Sequence, residues 1–320
     1  MGGRAALSAL AAVLAAAGCV QTTETVPDKT PPQARAAPEP PRSPRPPAAL
    51  RTDPESEALR AYYTRVQAGL EAQGLLRRDG GGPDTPYDAN RLAETFLQLA
   101  FYEEYAPDTG VLIARETRSR LHRWTEPVRI ETRFGRSVPA GERVRDRGDV
   151  ARFAGRLSRA ANHPISAVPQ GGNFVVYIVN EAERRALGPE LSALVPGMGP
   201  TALDSVLNLP RSSYCLVFAA DREETGGYSR AVAIIRAEHP PLLRLSCIHE
   251  EVAQGLGLAN DSPRARPSIF NDDEEFALLT TMDEQLLRIL YDPRLKPGMS
   301  EEEARPMVFR IAQEIMGAQS

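Results

Sequence analysis

The segment Cys247-Ile-His-Glu-Glu-Val-Ala-Gln-Gly-Leu-Gly-Leu-Ala-Asn-Asp261 holds polar side chains at spacings that matter for chemistry. Glu250 and Gln254 stand four residues apart, so on a helix they share one face, a turn from each other. Two ligands so placed can approach a single metal ion from successive turns, and a carboxylate beside the first can act as base on a metal-bound water. Glu251 holds that neighbouring position. Gly257 permits a sharp reversal, which would return Asn260, or Asp261 one residue later, toward the pair. The donor types do not suit zinc, which favours imidazole and thiolate, whereas carboxylates and amides suit harder cations. The four histidines are His122, His163, His239 and His249, and none follows the segment. Counting instead from His249-Glu250 puts the second ligand at Ala253, which has no donor atom. A three-histidine site is excluded by count. Two readings stay open: an oxygen site for Ca²⁺ or Mg²⁺ from Glu250, Gln254 and Asp261, or a metal-free cleft in which these groups hydrogen-bond to one another.

The spacing Glu250-Glu251-x-x-Gln254-x-x-Gly257-x-x-Asn260 resembles the H-E-x-x-H-x-x-G-x-x-H signature of metzincin-type zinc proteases, with Glu, Gln and Asn at the imidazole positions. Pro267-Ser-Ile-Phe-Asn271 sits where metzincins place their Met-turn, with Phe270 in place of Met. Leu279 to Asp292 is similar to the C-terminal helix of matrix-metalloprotease-like enzymes, with an acidic residue near its start and Leu-Tyr at its end. The chain is also similar to a bacterial family of envelope lipoproteins that carry a domain of unknown function. Glu-Glu-x-x-Gln-x-Leu-Gly-Leu-x-Asn-Asp, Pro-Ser-Ile-Phe-Asn-Asp and Leu-Leu-Arg-Ile-Leu-Tyr-Asp-Pro-Arg-Leu-x-Pro-Gly-Met carry that likeness. Over residues 124–295 the resemblance implies an α+β, zincin-like mixed sheet with a degenerate active-site helix, acting as a binding or envelope-associated module without a cofactor. The enzymatic alternative is a metallopeptidase with Glu251 as general base, and zinc or a hard divalent cation held by Glu250, Gln254 and Asn260 or Asp261.

The start of the chain reads as a targeting segment. Arg4 precedes the apolar run Ala5 to Ala17, too short to span a bilayer. Ala16-Ala17-Gly18-Cys19 resembles a bacterial lipobox, with Ala16 where Leu is usual. That likeness implies removal of residues 1–18, lipidation of Cys19, and the membrane as a partner through this anchor. Val20, with no Asp retention signal, implies the outer membrane, periplasmic side. Cleavage after an Ala-x-Ala site would instead leave Cys19 incidental. Residues 19–54 are rich in Pro and Ala and read as an extended tether. Cys215 and Cys247 remain as one pair, bridged in an oxidising compartment or else present as two buried thiols.

Net charge is −4, and all but two of the 38 basic residues are Arg, the exceptions being Lys29 and Lys296. With acidic residues in excess, nucleic acid is not an expected partner. Arg115, Arg118, Arg120 and Arg123 read as a solvated helix face. Ser246 has His249 three residues on, but neither an orienting acid nor an oxyanion hole accompanies Ser212, Ser213 or Ser246. Asn271 to Glu275 is an acidic run that could bind a cation, though it better suits a solvated loop or a helix N-terminus.

Residues 55–123 read as a helical N-terminal region, with helices at Ser56–Arg77 and from Asn90. Residues 124–320 then alternate as an α/β domain with C-terminal helices. Strands are expected at Val128–Phe134, Phe174–Val179, Tyr214–Ala219 and Ser229–Arg236. Helices are expected at Asp149–Ala161, Glu181–Leu194 and Leu242–Leu256. Ser229–Arg236 is the expected edge strand, open to an extended peptide or envelope protein by strand addition.

Overall fold

A computed structural model describes residues 53–318 except 109–110, 197, 222–224 and 272, and except the side chains of 103–117. The signal segment, Cys19 and all but the last two residues of the tether lie outside the described residues. Among those described, no helix is long and apolar enough to cross a membrane.

Helix α1, Pro54–Ala72, starts where Asp53 accepts from the Glu55 N–H, with proline in its first turn. It ends well before the expected Arg77. Helix α2, Ala89–Ala100, is capped by Asp88 and buries Leu92, Phe96, Leu97 and Leu99. A hairpin follows, β1 (Tyr102–Asp108) against β2 (Val111–Arg118). Arg115 and Arg118 therefore belong to a strand, and Arg123 to the short strand β3, Arg123–Trp124. The expected helix face for this arginine cluster is corrected: Val111-Leu112-Ile113 is an unbroken apolar run with two β-branched residues, which favours a strand.

Strand β4 (Val128–Phe134) keeps its expected bounds. Helix α3 covers Ala140–Ala161, starting nine residues earlier than expected. Then come β5 (Ile165–Val168) and β6 (Phe174–Val179), the latter again as expected. The single helix expected over Glu181–Leu194 is two, α4 (Glu181–Arg185) and α5 (Gly188–Leu194), followed by α6 (Pro200–Leu207). Strand β7 is Cys215–Ala220, β8 is Gly227–Tyr228, and β9 is Arg230–Arg236. Helices α7 (Pro241–Gln254), α8 (Thr281–Leu290) and α9 (Glu301–Gly317) complete the chain.

The main sheet has the order β5-β4-β6-β9-β7, parallel except for β7, which runs antiparallel to β9. This is the mixed α/β architecture expected. Strand β9 is interior, however, with Val232 to Arg236 buried between β6 and β7. The edge assignment for Ser229–Arg236 is thus corrected: the chain passes β7 outward and returns β9 inside it, so β7 forms the edge.

Period-two alternation divides the core. Phe174, Val176 and Ile178 of β6 face one cluster with α2, α3, α7, α8 and α9. Val175, Tyr177 and Val179 face another with Leu187, Leu191 and Val206 of the α4–α6 region. Both faces of the sheet are covered, which is why these strands read as unbroken apolar runs.

Candidate functional site

Helix α7 carries the signature residues under the edge strand. A disulfide between Cys215 of β7 and Cys247 of α7, with Cα atoms 5.9 Å apart, ties the two elements together. Bridging residues 32 apart stabilises the fold by about 3–4 kcal/mol in the chain-entropy model. The helix ends at Gln254, and three contacts lock the turn beyond it. Trp124 Nε1 donates to the Gly255 carbonyl at 2.8 Å, and the Tyr291 hydroxyl donates to the Leu256 carbonyl at 3.1 Å. Gly257 adopts φ +127°, and a Cβ there would collide with the His122 carbonyl oxygen. Only glycine meets both demands.

Glu250, Glu251, Gln254 and Asp261 line one groove of about 430 Å³, opposite Tyr214, Cys215, Val217 and Ala219. The turn returns Asp261 to the helix: Gln254 Nε2 donates to Asp261 Oδ1 at 2.9 Å. Asn260 points away. It is buried, its amide donates to the Gln98 carbonyl at 3.0 Å, and its N–H donates to the Leu99 carbonyl at 3.2 Å. Of the two residues offered for the third position, the structure brings Asp261 to the groove and pins Asn260 onto α2.

The donor set does not fit zinc. Cys215 Sγ and carboxylate oxygens of Glu250 and Glu251 lie within 4.8 Å of one another, but that sulfur is committed to the disulfide. Two carboxylates beside a bridged sulfur, with Gln254 and Asp261 already paired to each other, offer neither the imidazole nor the thiolate that zinc prefers.

None of the histidines lines the groove. His249 Nδ1 accepts the Leu279 N–H at 3.1 Å and its ring stacks on Phe153 at 3.9 Å. Burial, with the nearby Arg156 charge, pushes His249 down to about 3. Its acceptor is therefore occupied by backbone, which removes it as a partner for Ser246. His239 is buried against Tyr63, and burial followed by the Arg236 and Arg244 charges holds it well below the ordinary range. His163 bonds the Glu126 carbonyl, and His122 stacks on Tyr228 beside Asp221.

The turn matched to the Met-turn lies against the returning segment, since Ser262 N–H donates to the Phe270 carbonyl at 2.9 Å and Phe270 is fully buried. Asp283, at the start of α8, fastens that turn. It accepts from Ser268 Oγ at 2.6 Å, Ile269 N–H at 3.1 Å and Thr280 N–H at 2.8 Å. Burial pushes its carboxyl up, against these hydrogen bonds.

Residues 89–310 match the model of a protein family of unknown function, DUF2927. The chain belongs to the DUF2927 family. No curated protein and no solved structure matches it. The DUF2927 region takes in every groove residue and leaves α1 outside.

Several contributors to the DUF2927 groove escaped the sequence reading. Glu274 lines it from the acidic run, held at φ +58° with its carbonyl accepting the Leu76 N–H at 2.9 Å. The run is thus a folded loop, and the charge at the N-terminus of α8 comes instead from Asp283 and Glu284. Tyr214 and Tyr228 also line the groove, and burial followed by the Glu274 charge pushes the Tyr214 hydroxyl up. Only the acidic run itself signalled Glu274 in advance.

Proposed function

We propose that this DUF2927 protein is a lipid-anchored envelope module whose zincin-like domain binds an extended peptide segment without cutting it. The observation that carries this reading is the groove between α7 and β7. Strand β7 ends the sheet, and its one sheet partner among the described residues is β9. Its outer edge can therefore take an added strand. Beneath that edge lie Glu250, Glu251, Gln254 and Asp261, a face with hydrogen-bonding capacity but without the imidazole or thiolate ligands that zinc prefers. The zincin-like part rests on the preserved signature spacing, the Gly257 turn and the Phe270 turn fastened by Asp283. Residues 1–18 and Cys19 supply export and the anchor, and the Cys215–Cys247 bridge suits an oxidising compartment.

Metal analysis of the purified protein, with peptidase assays before and after chelation, tests this directly. The expected result is no stoichiometric zinc and no chelator-sensitive cleavage. Stoichiometric zinc, with cleavage abolished by Glu251→Gln, would replace binding by hydrolysis. For the anchor, Cys19→Ser should move the protein from the membrane to the soluble fraction, and unchanged fractionation would refute lipidation.

A further inference from the structure

The bridge between β7 and α7 has two unlike ends. We infer that it is a site of thiol–disulfide exchange, at which a small external thiol attacks Cys215 Sγ from the groove and releases Cys247 toward His239. Cys215 is partly buried and lines the groove, whereas Cys247 is 1% exposed and belongs to the core. A thiolate arriving by the groove therefore meets Cys215 first. The inference goes beyond the peptide-binding reading and does not depend on it.

His239 stands in the short connection from β9 to α7, with Nδ1 3.7 Å from Cys247 Sγ. The ring is buried, and its Nε2 has no hydrogen-bond partner among the described residues. Its backbone is held on both sides. The His239 N–H donates to the Arg236 carbonyl at 3.3 Å, and its carbonyl accepts from Arg244 Nη2 at 3.1 Å. The Tyr63 ring packs across the imidazole at 84°, with centroids 4.5 Å apart. Burial keeps the ring neutral. With its proton on Nδ1 it can donate to sulfur without changing its own charge. A bridge that served as a brace alone would need no buried imidazole beside it.

In the exchange, the external thiol first gives its proton to solvent. Its sulfur bonds to Cys215 Sγ as the Cys215–Cys247 bond breaks, and the electron pair of that bond passes to Cys247 Sγ. The His239 N–H stabilises this leaving thiolate, and the nearby Arg236 and Arg244 charges add positive potential. Cys247 then takes up a proton, and a second thiolate displaces Cys215 from the mixed disulfide. Two external thiols are oxidised to one disulfide, the two cysteines are reduced and protonated, and β7 is released from α7.

The test treats the full chain with 2-mercaptoethanol under native conditions, quenches with N-ethylmaleimide in urea and maps the products by mass spectrometry. The thiol should appear on Cys215 and the maleimide on Cys247. An adduct on Cys247, or equal amounts on both, would overturn the inference. So would a rate independent of thiol concentration, which means that reaction waits for unfolding. The His239→Phe variant keeps a flat ring against Tyr63 and removes both nitrogens. It should react roughly tenfold more slowly than the natural chain under native conditions, and at the same rate in concentrated urea. A loosened fold would instead speed the reaction, so an equal or faster native rate also overturns the inference. Should that variant not fold, the adduct map of the natural chain decides. The groove reading is judged separately, by the metal and peptidase assays.

Discussion

His249 adjoins Glu250 in sequence, yet its ring is buried against Phe153 while Glu250 lines the groove. The consequence is a pH dependence. With a folded-state value of about 3, below the ordinary histidine value, the imidazole is neutral in the fold and takes up a proton more readily once unfolded. Its contribution to stability is complete above about pH 6.5 and is lost as pH falls toward the folded value, amounting to about 2 kcal/mol at pH 5. Urea unfolding at pH 7 and pH 5 should show this loss. His249→Asn, which keeps an acceptor for Leu279 but cannot titrate, should flatten the pH slope by a comparable amount. Position 260 illustrates what spacing alone cannot reveal. Asn260 and Asp261 are adjacent and both polar, and the choice between them is made by carbonyls of α2, more than 150 residues earlier in the chain.

At the level of elements, strands with a clean pattern were readable to the residue. β4 alternates, and β6 is apolar on both faces because helices cover both sides of the sheet. The lateral order was not readable. β7 and β9 are consecutive long apolar strands, and nothing in either run says which lies outside; the parallel pairing of β9 with β6 decides it. The first turns of α3 were missed because Arg143, Val144, Arg145 and Arg147 give no apolar stripe, and Val144 is indeed 71% exposed. Two predictions belong at this level. Removing the disulfide with Cys215→Ala/Cys247→Ala should lower stability by about 3 kcal/mol and speed amide exchange in β7 more than in β6. Gly257→Ala forces a side chain into left-handed backbone and into the His122 carbonyl, and should cost about 2–4 kcal/mol in denaturant unfolding.

For the whole molecule, a buried ionic network joins parts that are distant in sequence. Arg236 at the end of β9 pairs with Glu181 of α4 and donates to the Leu209 and Pro210 carbonyls, each at 2.8 Å. Glu238 accepts from Ser56 of α1 at 2.7 Å and from the Glu181 N–H at 2.9 Å. Tyr63 of α1 donates to the Arg211 carbonyl at 2.9 Å, in the segment that leads into β7. Arg236→Met would leave Glu181 buried with less compensation and should destabilise by about 3–5 kcal/mol, measured by urea unfolding. Composition and periodicity made the α/β class legible, but gave no sign of this network, since arginine is abundant throughout and burial alone distinguishes Arg236 from its exposed counterparts.

The contact between Gln254 and Asp261 has a use in protein engineering. Positions 250, 254 and 261 already converge on one groove, and the latter two touch. A Glu250→His/Gln254→His/Asp261→His triple variant would gather three imidazoles there, and should take up cobalt(II) with visible absorption bands of a tetrahedral complex. The natural sequence would then stand three substitutions from a transition-metal protein.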